Sequence, residues 1–145
     1  QTIRETGDRN ALDIAVEKAC SGSQLEINST QGRFSLALKI PGLRRAMASH
    51  ELSDGTLRYL CLLAALLSPR PPRLLALNEP ENSLHPELLE PLAHLITQAS
   101  ESSQLWITTH SVPLARHIET LSGQAVMPLD KVEGATVVVN QSLLA

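Results

Sequence analysis

The sequence predicts an α/β domain with a parallel β-α-β core and antiparallel β-hairpins flanking it. Three observations lead there. Two short aliphatic runs, residues 73–77 and 105–108, bracket an amphipathic stretch, 86–99, which is how buried strands and their crossover helix read. Residues 24–28 and 33–40 alternate apolar and polar with period two, as half-buried strands do. A composition of 43% hydrophobic and 19% charged residues over 145 positions suffices for one packed core and excludes a generally disordered chain.

That core must be aliphatic. Leucine occurs 26 times, whereas Phe34, Tyr59 and Trp106 are the only aromatic residues. So few rings argue against a stacking platform for single-stranded nucleic acid. Twelve Lys and Arg against fifteen Asp and Glu, a formal charge of -3, leave no basic field for nucleic acid or an anionic membrane. Cys20 and Cys61 are far apart in apolar helical patterns, which suggests buried thiols in a reducing, cytoplasmic setting and not a disulfide scaffold. The longest apolar run, 57–67, contains Arg58 and is too short to span a bilayer, so no membrane role is expected. The chain opens Gln1-Thr2-Ile3 without an initiator Met and reads as a segment of something longer.

Each element has its own signal. Residues 10–19 carry Leu12, Val16 and Ala19 on one side of a helix, with Ser21-Gly22 as its stop. Ser29-Thr30-Gln31-Gly32 is turn chemistry between the alternating strands, and Pro41-Gly42 ends the second. Ser53 can cap a helix whose body, 57–67, is apolar nearly all round; Ser68-Pro69 ends it and Pro71-Pro72 enforces an extended linker. Pro86 suits the first turn of the next helix, with Leu88, Leu89, Leu92, Leu95 and Ile96 along one stripe. Pro91 inside that pattern costs about 3 kcal/mol unless the helix kinks or starts late. A short helix over 112–119 follows the second buried strand. A last hairpin pairs 124–129 with 135–139 around Glu133-Gly134.

In a β-α-β unit the strands 73–77 and 105–108 run parallel through a right-handed crossover. Ligands bind beyond the carboxyl ends of such strands. Asn78-Glu79 and Thr109-His110 leave those two ends at the same sheet edge, so polar residues thirty positions apart are expected at one site. A strand ending in two polar residues can hold one to orient metal-bound water and the next to polarise an attacking water. Leu52-Ser53-Asp54-Gly55-Thr56, opening a helix, offers backbone N–H groups and a hydroxyl to a phosphate. His110 can hydrogen-bond a terminal phosphate. Taken singly, each also has a plain structural reading: a strand entering a polar loop, Ser53 as an N-cap, a solvated loop histidine.

In this order the segments resemble the C-terminal half of the nucleotide-binding domain of ABC-type ATPases, in the SMC/RecF/OLD-like AAA branch. Leu52–Thr56 is similar to the signature motif and Leu74–Glu79 to Walker B. Asn82-Ser83-Leu84-His85-Pro86 is similar to the D-loop, and Thr109-His110-Ser111 to the switch-histidine loop. The likeness covers residues 48–118; residues 1–47 and 119–145 match by strand pattern alone. It implies the C-terminal lobe of a P-loop NTPase and two domains sandwiching two ATP molecules head to tail. Ser53, Asp54 and Gly55 then belong to a phosphate site completed by the partner, Glu79 is the general base, and His110 senses the γ-phosphate. Asn82, Ser83 and His85 run along the homodimer interface. Nucleic acid enters by family analogy only.

Two departures qualify the resemblance. The family has Asp where this chain has Asn78, which weakens the draw on Mg²⁺ and leaves a water-mediated contact. No G-x-x-x-x-G-K-[ST] occurs, and none of Lys18, Lys39 and Lys131 follows a glycine, so the Walker A half is expected upstream and the isolated chain is expected not to hydrolyse ATP. The alternative is a degenerate, ATP-gated dimerisation or scaffold module. A zinc enzyme is disfavoured because His50-Glu51 does not continue to H-E-x-x-H and no pair among His85, His94, His110 and His117 has a standard ligand spacing with cysteines nearby. A serine hydrolase is disfavoured because Ser53 and Ser111 lack the G-x-S-x-G elbow. Arg44, Arg45, Arg70 and Arg73 read as solvated surface, with Arg58 a candidate buttress for the signature helix.

Overall fold

A computed structural model describes residues 2–139 except Ser21 and Gln31, with the side chains of Arg4, Thr6 and Thr30 also outside the description. The expected helix stop at Ser21 and the turn position Gln31 therefore lie outside the described residues. Helix α1 (Thr2–Thr6) precedes α2 (Arg9–Ala19), which is capped by Asp8 accepting from the Ala11 N–H at 2.8 Å. It buries Leu12, Ala15 and Val16, the stripe its spacing predicts. Strands β1 (Gln24–Thr30) and β2 (Arg33–Lys39) form the expected antiparallel hairpin, and β3 (Met47–Ala48) adds a two-residue edge. Neither α1 nor β3 has enough residues to show a period, so no sequence pattern announces them.

The centre of the chain follows. Helix α3 (Asp54–Leu66) starts on Ser53, whose side chain accepts from the Thr56 N–H at 3.2 Å. It is one-sided, not buried all round: Tyr59, Leu60, Leu62, Leu63 and Leu66 are buried while Cys61 is exposed. The expectation of two buried thiols thus fails at Cys61, because no described element covers that side of α3, and is met only in part at Cys20, which is half-buried.

Strands β4 (Leu74–Asn78) and β5 (Gln104–Thr108) pair in parallel, in register from Leu74 opposite Gln104 to Asn78 opposite Thr108. Between them a 3-10 turn, Pro86–Leu88, leads into α4 (Leu89–Ala99). Pro91 falls in the first turn of α4, where its missing N–H has no intrahelical partner to lose. The late start removes the expected cost. Leu63, Leu92 and Ala93 are fully buried in the core, as is Leu114 of α5 (Val112–Ser122), with Tyr59, Val16 and Ile96 nearly so. Helix α5 is capped by Ser111 and ends at Gly123 in the left-handed conformation at φ 67°.

Both strands of the parallel sheet were expected to be buried throughout. Instead the sheet is covered on one face only. Leu75, Leu77, Leu105 and Ile107 pack against the helical core, whereas Leu74 is 53% and Trp106 66% exposed on the opposite face. A parallel sheet requires cover on both sides, and the described residues supply one layer. The terminal hairpin also differs from expectation: β6 (Leu129–Val132) pairs with β7 (Ala135–Val138), so the first arm lies at 129–132 and not at 124–129. Glu133 and Gly134, at φ 51° and 85°, make a two-residue turn with both central residues left-handed. That turn type sets the register, pairing Val132 with Ala135.

Candidate functional site

The site is built on the carboxyl ends of β4 and β5. Asn78 and Thr108 are the last residues of their strands, and the Thr108 hydroxyl donates to Asn78 Oδ1 at 2.6 Å. Glu79 continues the ladder by donating its N–H to the Thr108 carbonyl at 2.8 Å. Its backbone then turns sharply, at φ 45°. For a residue with a Cβ that conformation is strained and needs support from its surroundings. Two bonds supply it: the Glu79 carbonyl accepts from Arg58 Nη2 at 2.9 Å and from the Asn82 N–H at 3.1 Å.

The turn sends the Glu79 carboxylate toward the loop after β5. His110 Nε2 lies 3.3 Å from Glu79 Oε1, and the His110 side chain is 90% exposed. The two residues that sequence order alone places at one sheet edge do meet there. A carboxylate within hydrogen-bond reach of water can accept its proton, and an exposed imidazole beside it can donate to an anion.

Arg58 joins this lip to helix α3, as its candidate role required. A second tie runs from Gly55, where a Cβ would collide with the Ser83 carbonyl oxygen. Glycine at 55 is thus demanded by the chain itself, whose 79–83 turn presses on the first turn of α3. Ser83 sits at φ 65°, the second strained position of that turn. Ser53, Gly55, Ser83 and His85 line one cleft of about 550 Å³ together with Lys18 and Thr56. Asp54 and Asn82 lie outside its walls, and so do Asn78, Glu79 and His110. The candidate residues accordingly fall into two groups: a carboxylate–imidazole pair at the sheet lip, and a cleft at the amino end of α3, bridged by Arg58 and the 79–83 turn.

Ser53 and His85 both have local work. Ser53 Oγ bonds the Thr56 hydroxyl at 2.9 Å besides its N–H, and His85 Nδ1 accepts from the Glu87 N–H at 3.4 Å as the cap of the 3-10 turn. The α3 amino end, with the exposed Ser53 hydroxyl and its first-turn N–H groups, fits a phosphate group. A divalent cation fits less well: Asn78 is neutral and its oxygen already accepts one bond. Among the described residues no group of three His, Cys, Asp or Glu side chains is arranged to hold a metal ion.

Glu81 was missed from the sequence. Its Oε1 accepts from the Thr109 hydroxyl at 2.6 Å, the His110 N–H at 3.1 Å and the Ser111 N–H at 3.2 Å. An acidic residue two positions beyond Glu79, opposite a helix that starts at Ser111, is the signal that could have found it, since helix amino ends attract carboxylates. Arg45, expected as solvated surface, is exposed and makes a two-pronged pair with Glu51 at 2.7 Å on each prong. Glu51 also accepts from the Ala48 N–H at 2.9 Å, which ties the loop before the α3 cap.

No curated protein matches the sequence. Solved structures do match in fold. One, described as "Structural biochemistry of ATP-driven dimerization and DNA stimulated activation of SMC ATPases", has a TM-score of 0.70 at 15% identity, over 93% of this chain and 83% of that one. The SMC head domain from Thermotoga maritima gives 0.61 at 18% identity, over 94% of this chain and 47% of that chain. A Smc head domain derived from Pyrococcus furiosus, with an extended coiled coil and bound to the C-terminal domain of ScpA, gives 0.71 at 15% identity, over 90% and 33%. At these identities the likeness is one of fold, and this chain spans less than half the length of the last two. The family described as "AAA domain, putative AbiEii toxin, Type IV TA system" matches residues 7–115, three quarters of the sequence. The chain belongs to that AAA-domain family, and its α/β fold is the one seen in the P-loop ATPase heads of SMC proteins.

Proposed function

We propose that this chain is the C-terminal, motif-bearing part of an ATP-binding and ATP-hydrolysing module that works by ATP-dependent head-to-tail dimerisation. The observation that carries the reading is the 3.3 Å approach of His110 to Glu79 at the ends of parallel strands. In this scheme Glu79 accepts the proton of the attacking water, and His110 donates an imidazole N–H to the terminal phosphate. The amino end of α3, with Ser53, Asp54 and Gly55, faces the phosphates held by the partner. Asn82, Ser83 and His85 lie along the shared interface. ATP supplies the anhydride that is split, with Mg²⁺ drawn mainly by its phosphates and by residues upstream, because Asn78 offers no charge.

The Walker A half is assigned to sequence upstream, with 1–47 as a helix plus hairpin leading to the signature, 48–118 as the motif-bearing core and 119–145 as the terminal hairpin. The bare sheet face bearing Leu74 and Trp106 supports this division, since a parallel sheet needs a second layer. The unpaired thiols Cys20 and Cys61 suit a reducing cytoplasm. DNA-stimulated activation is described for one structural relative, and DNA enters here only as a ligand to be tested on the longer protein.

The decisive test is ATP hydrolysis by the protein extended to include its upstream half. Glu79→Gln is expected to lower kcat by about 10²–10⁴-fold, the usual worth of a positioned base, while ATP binding persists. The isolated 145 residues are expected to show no hydrolysis, and a measurable rate from them would sink the split-module reading. A second reading, a non-hydrolysing ATP-gated scaffold, is favoured by one observation: Asn78 is neutral and already holds the Thr108 hydroxyl. Asn78→Asp in the extended protein separates the two. A rise from no turnover to a clear rate favours the scaffold; a modest change in an existing rate favours the working ATPase.

A further inference from the structure

We propose that Glu81 is a positioning residue that aims His110 at Glu79 by holding the loop between β5 and α5; this rests on the roles proposed above for Glu79 and His110. The imidazole of His110 is 90% exposed, and the side chain it meets is the Glu79 carboxylate. Packing therefore does not aim the ring. What sets its direction is the backbone of residues 109–111, and that backbone is gathered on a single oxygen. Glu81 Oε1 takes the Thr109 hydroxyl and the consecutive N–H groups of His110 and Ser111. The Thr109 hydroxyl also accepts from the Ser111 N–H at 2.9 Å, which closes a small ring of bonds around the loop.

Two features make the anchor rigid on its own side. Pro80, directly before Glu81, is fully buried, and the Glu81 carbonyl accepts from the Leu84 N–H at 3.0 Å. The carboxylate also stands at the amino end of α5, where the first-turn N–H groups favour negative charge. Its second oxygen, Oε2, is buried without a hydrogen-bond partner among the described residues. A carboxylate kept out of water in this way has its bonding directed at the 109–111 loop. Glu79 and Glu81 thus divide the labour of one turn: the first faces the imidazole, and the second holds the backbone that carries it.

The test is a double-substitution cycle in the protein extended to include its upstream half, reading kcat for ATP hydrolysis and the ratio of ATP to ADP affinity. Glu81→Ala is expected to lower kcat on the order of 100-fold, the scale of an ångström-level misplacement of a reacting group, with KM for ATP little changed. In a His110→Ala background the same substitution is expected to cost nothing further, because Glu81 acts through His110. Equal losses in both backgrounds, or no loss in either, overturn the proposal. Glu81→Gln keeps an acceptor oxygen and is expected to retain most activity. Should Glu81→Ala fail to fold, Thr109→Val carries the same cycle. A protein that binds ATP without hydrolysing it is read by the affinity ratio alone. A wild type that binds no ATP removes the proposed function instead. The anchor is then judged by amide exchange: loss of protection at His110 and Ser111 in Glu81→Ala or Thr109→Val, with Ala115 unchanged, upholds it, and unchanged protection refutes it.

Discussion

Tyr59 is 1% exposed, burial pushes its phenol up to about 12, and its hydroxyl has no hydrogen-bond partner among the described residues. A buried polar atom left unpaired is a cost. Tyr59→Phe is expected to raise stability by about 1 kcal/mol, measured by urea unfolding. Gly55 behaves in the opposite sense. A methyl there meets the Ser83 carbonyl oxygen, which is backbone and cannot swing aside, so Gly55→Ala is expected to lose about 1–3 kcal/mol in the same assay. Glu51 is held down to about 2 by the Arg45 guanidinium and the Ala48 N–H. A carboxyl depressed on folding contributes stability above its unfolded value, near 4.5, and loses it as pH falls toward 2. Acid titrations of wild type and Glu51→Gln should therefore differ above pH 4.5 and converge near pH 2. At this scale Ser53, Glu79 and His110 were legible because a cap, a strand end and a loop histidine are local features. The role of Glu81 was not, because the donors it gathers lie 28 to 30 positions away; Ser83 meets Gly55 across a similar gap in the chain.

The elements were legible where they were long enough to repeat. Helices α2 to α5 and strands β1, β2, β4 and β5 each complete at least two periods, and each was expected. Boundaries followed local chemistry that periodicity does not see. Pro91 marks the start of α4 and not its middle, so Pro91→Ala is expected to change stability by no more than about 0.5 kcal/mol, whereas Thr97→Pro in the same helix should cost about 3 kcal/mol or more. Thermal or urea unfolding of the pair reads the difference. The terminal hairpin shows the same lesson in a sheet. Apolar residues over 124–129 resemble a strand, but a two-residue turn at Glu133-Gly134 leaves only 129–132 in reach of β7. Turn geometry overrode hydrophobicity.

At the scale of the whole molecule, among the described residues one layer of helices packs on one face of a two-stranded parallel sheet. Trp106, the single tryptophan, stands on the other face. In the isolated chain its emission is expected to be that of a water-exposed indole, freely quenched by acrylamide. Adding the proposed upstream half is expected to shift the emission to the blue and protect it from quencher; no shift would argue that the sheet's second layer comes from elsewhere. The ties from α3 to the 79–83 turn belong to this scale too. They connect the cleft at Ser53 with the lip at Glu79 and His110, two places that contribute to different nucleotides in the proposed head-to-tail sandwich.

By itself the sequence determined the type and order of the longer helices and strands, where the α3 cap lies, and that two polar strand ends share an edge. All of these follow from short-range preferences: period, capping and the parallel sense of a β-α-β crossover. Only the folded chain decided that Gly55 makes room for Ser83, that Arg58 steadies the strained Glu79, and that one oxygen of Glu81 gathers the loop of His110. Those are contacts between segments brought together by packing, and no local pattern in a single sequence encodes which distant donor will meet which acceptor.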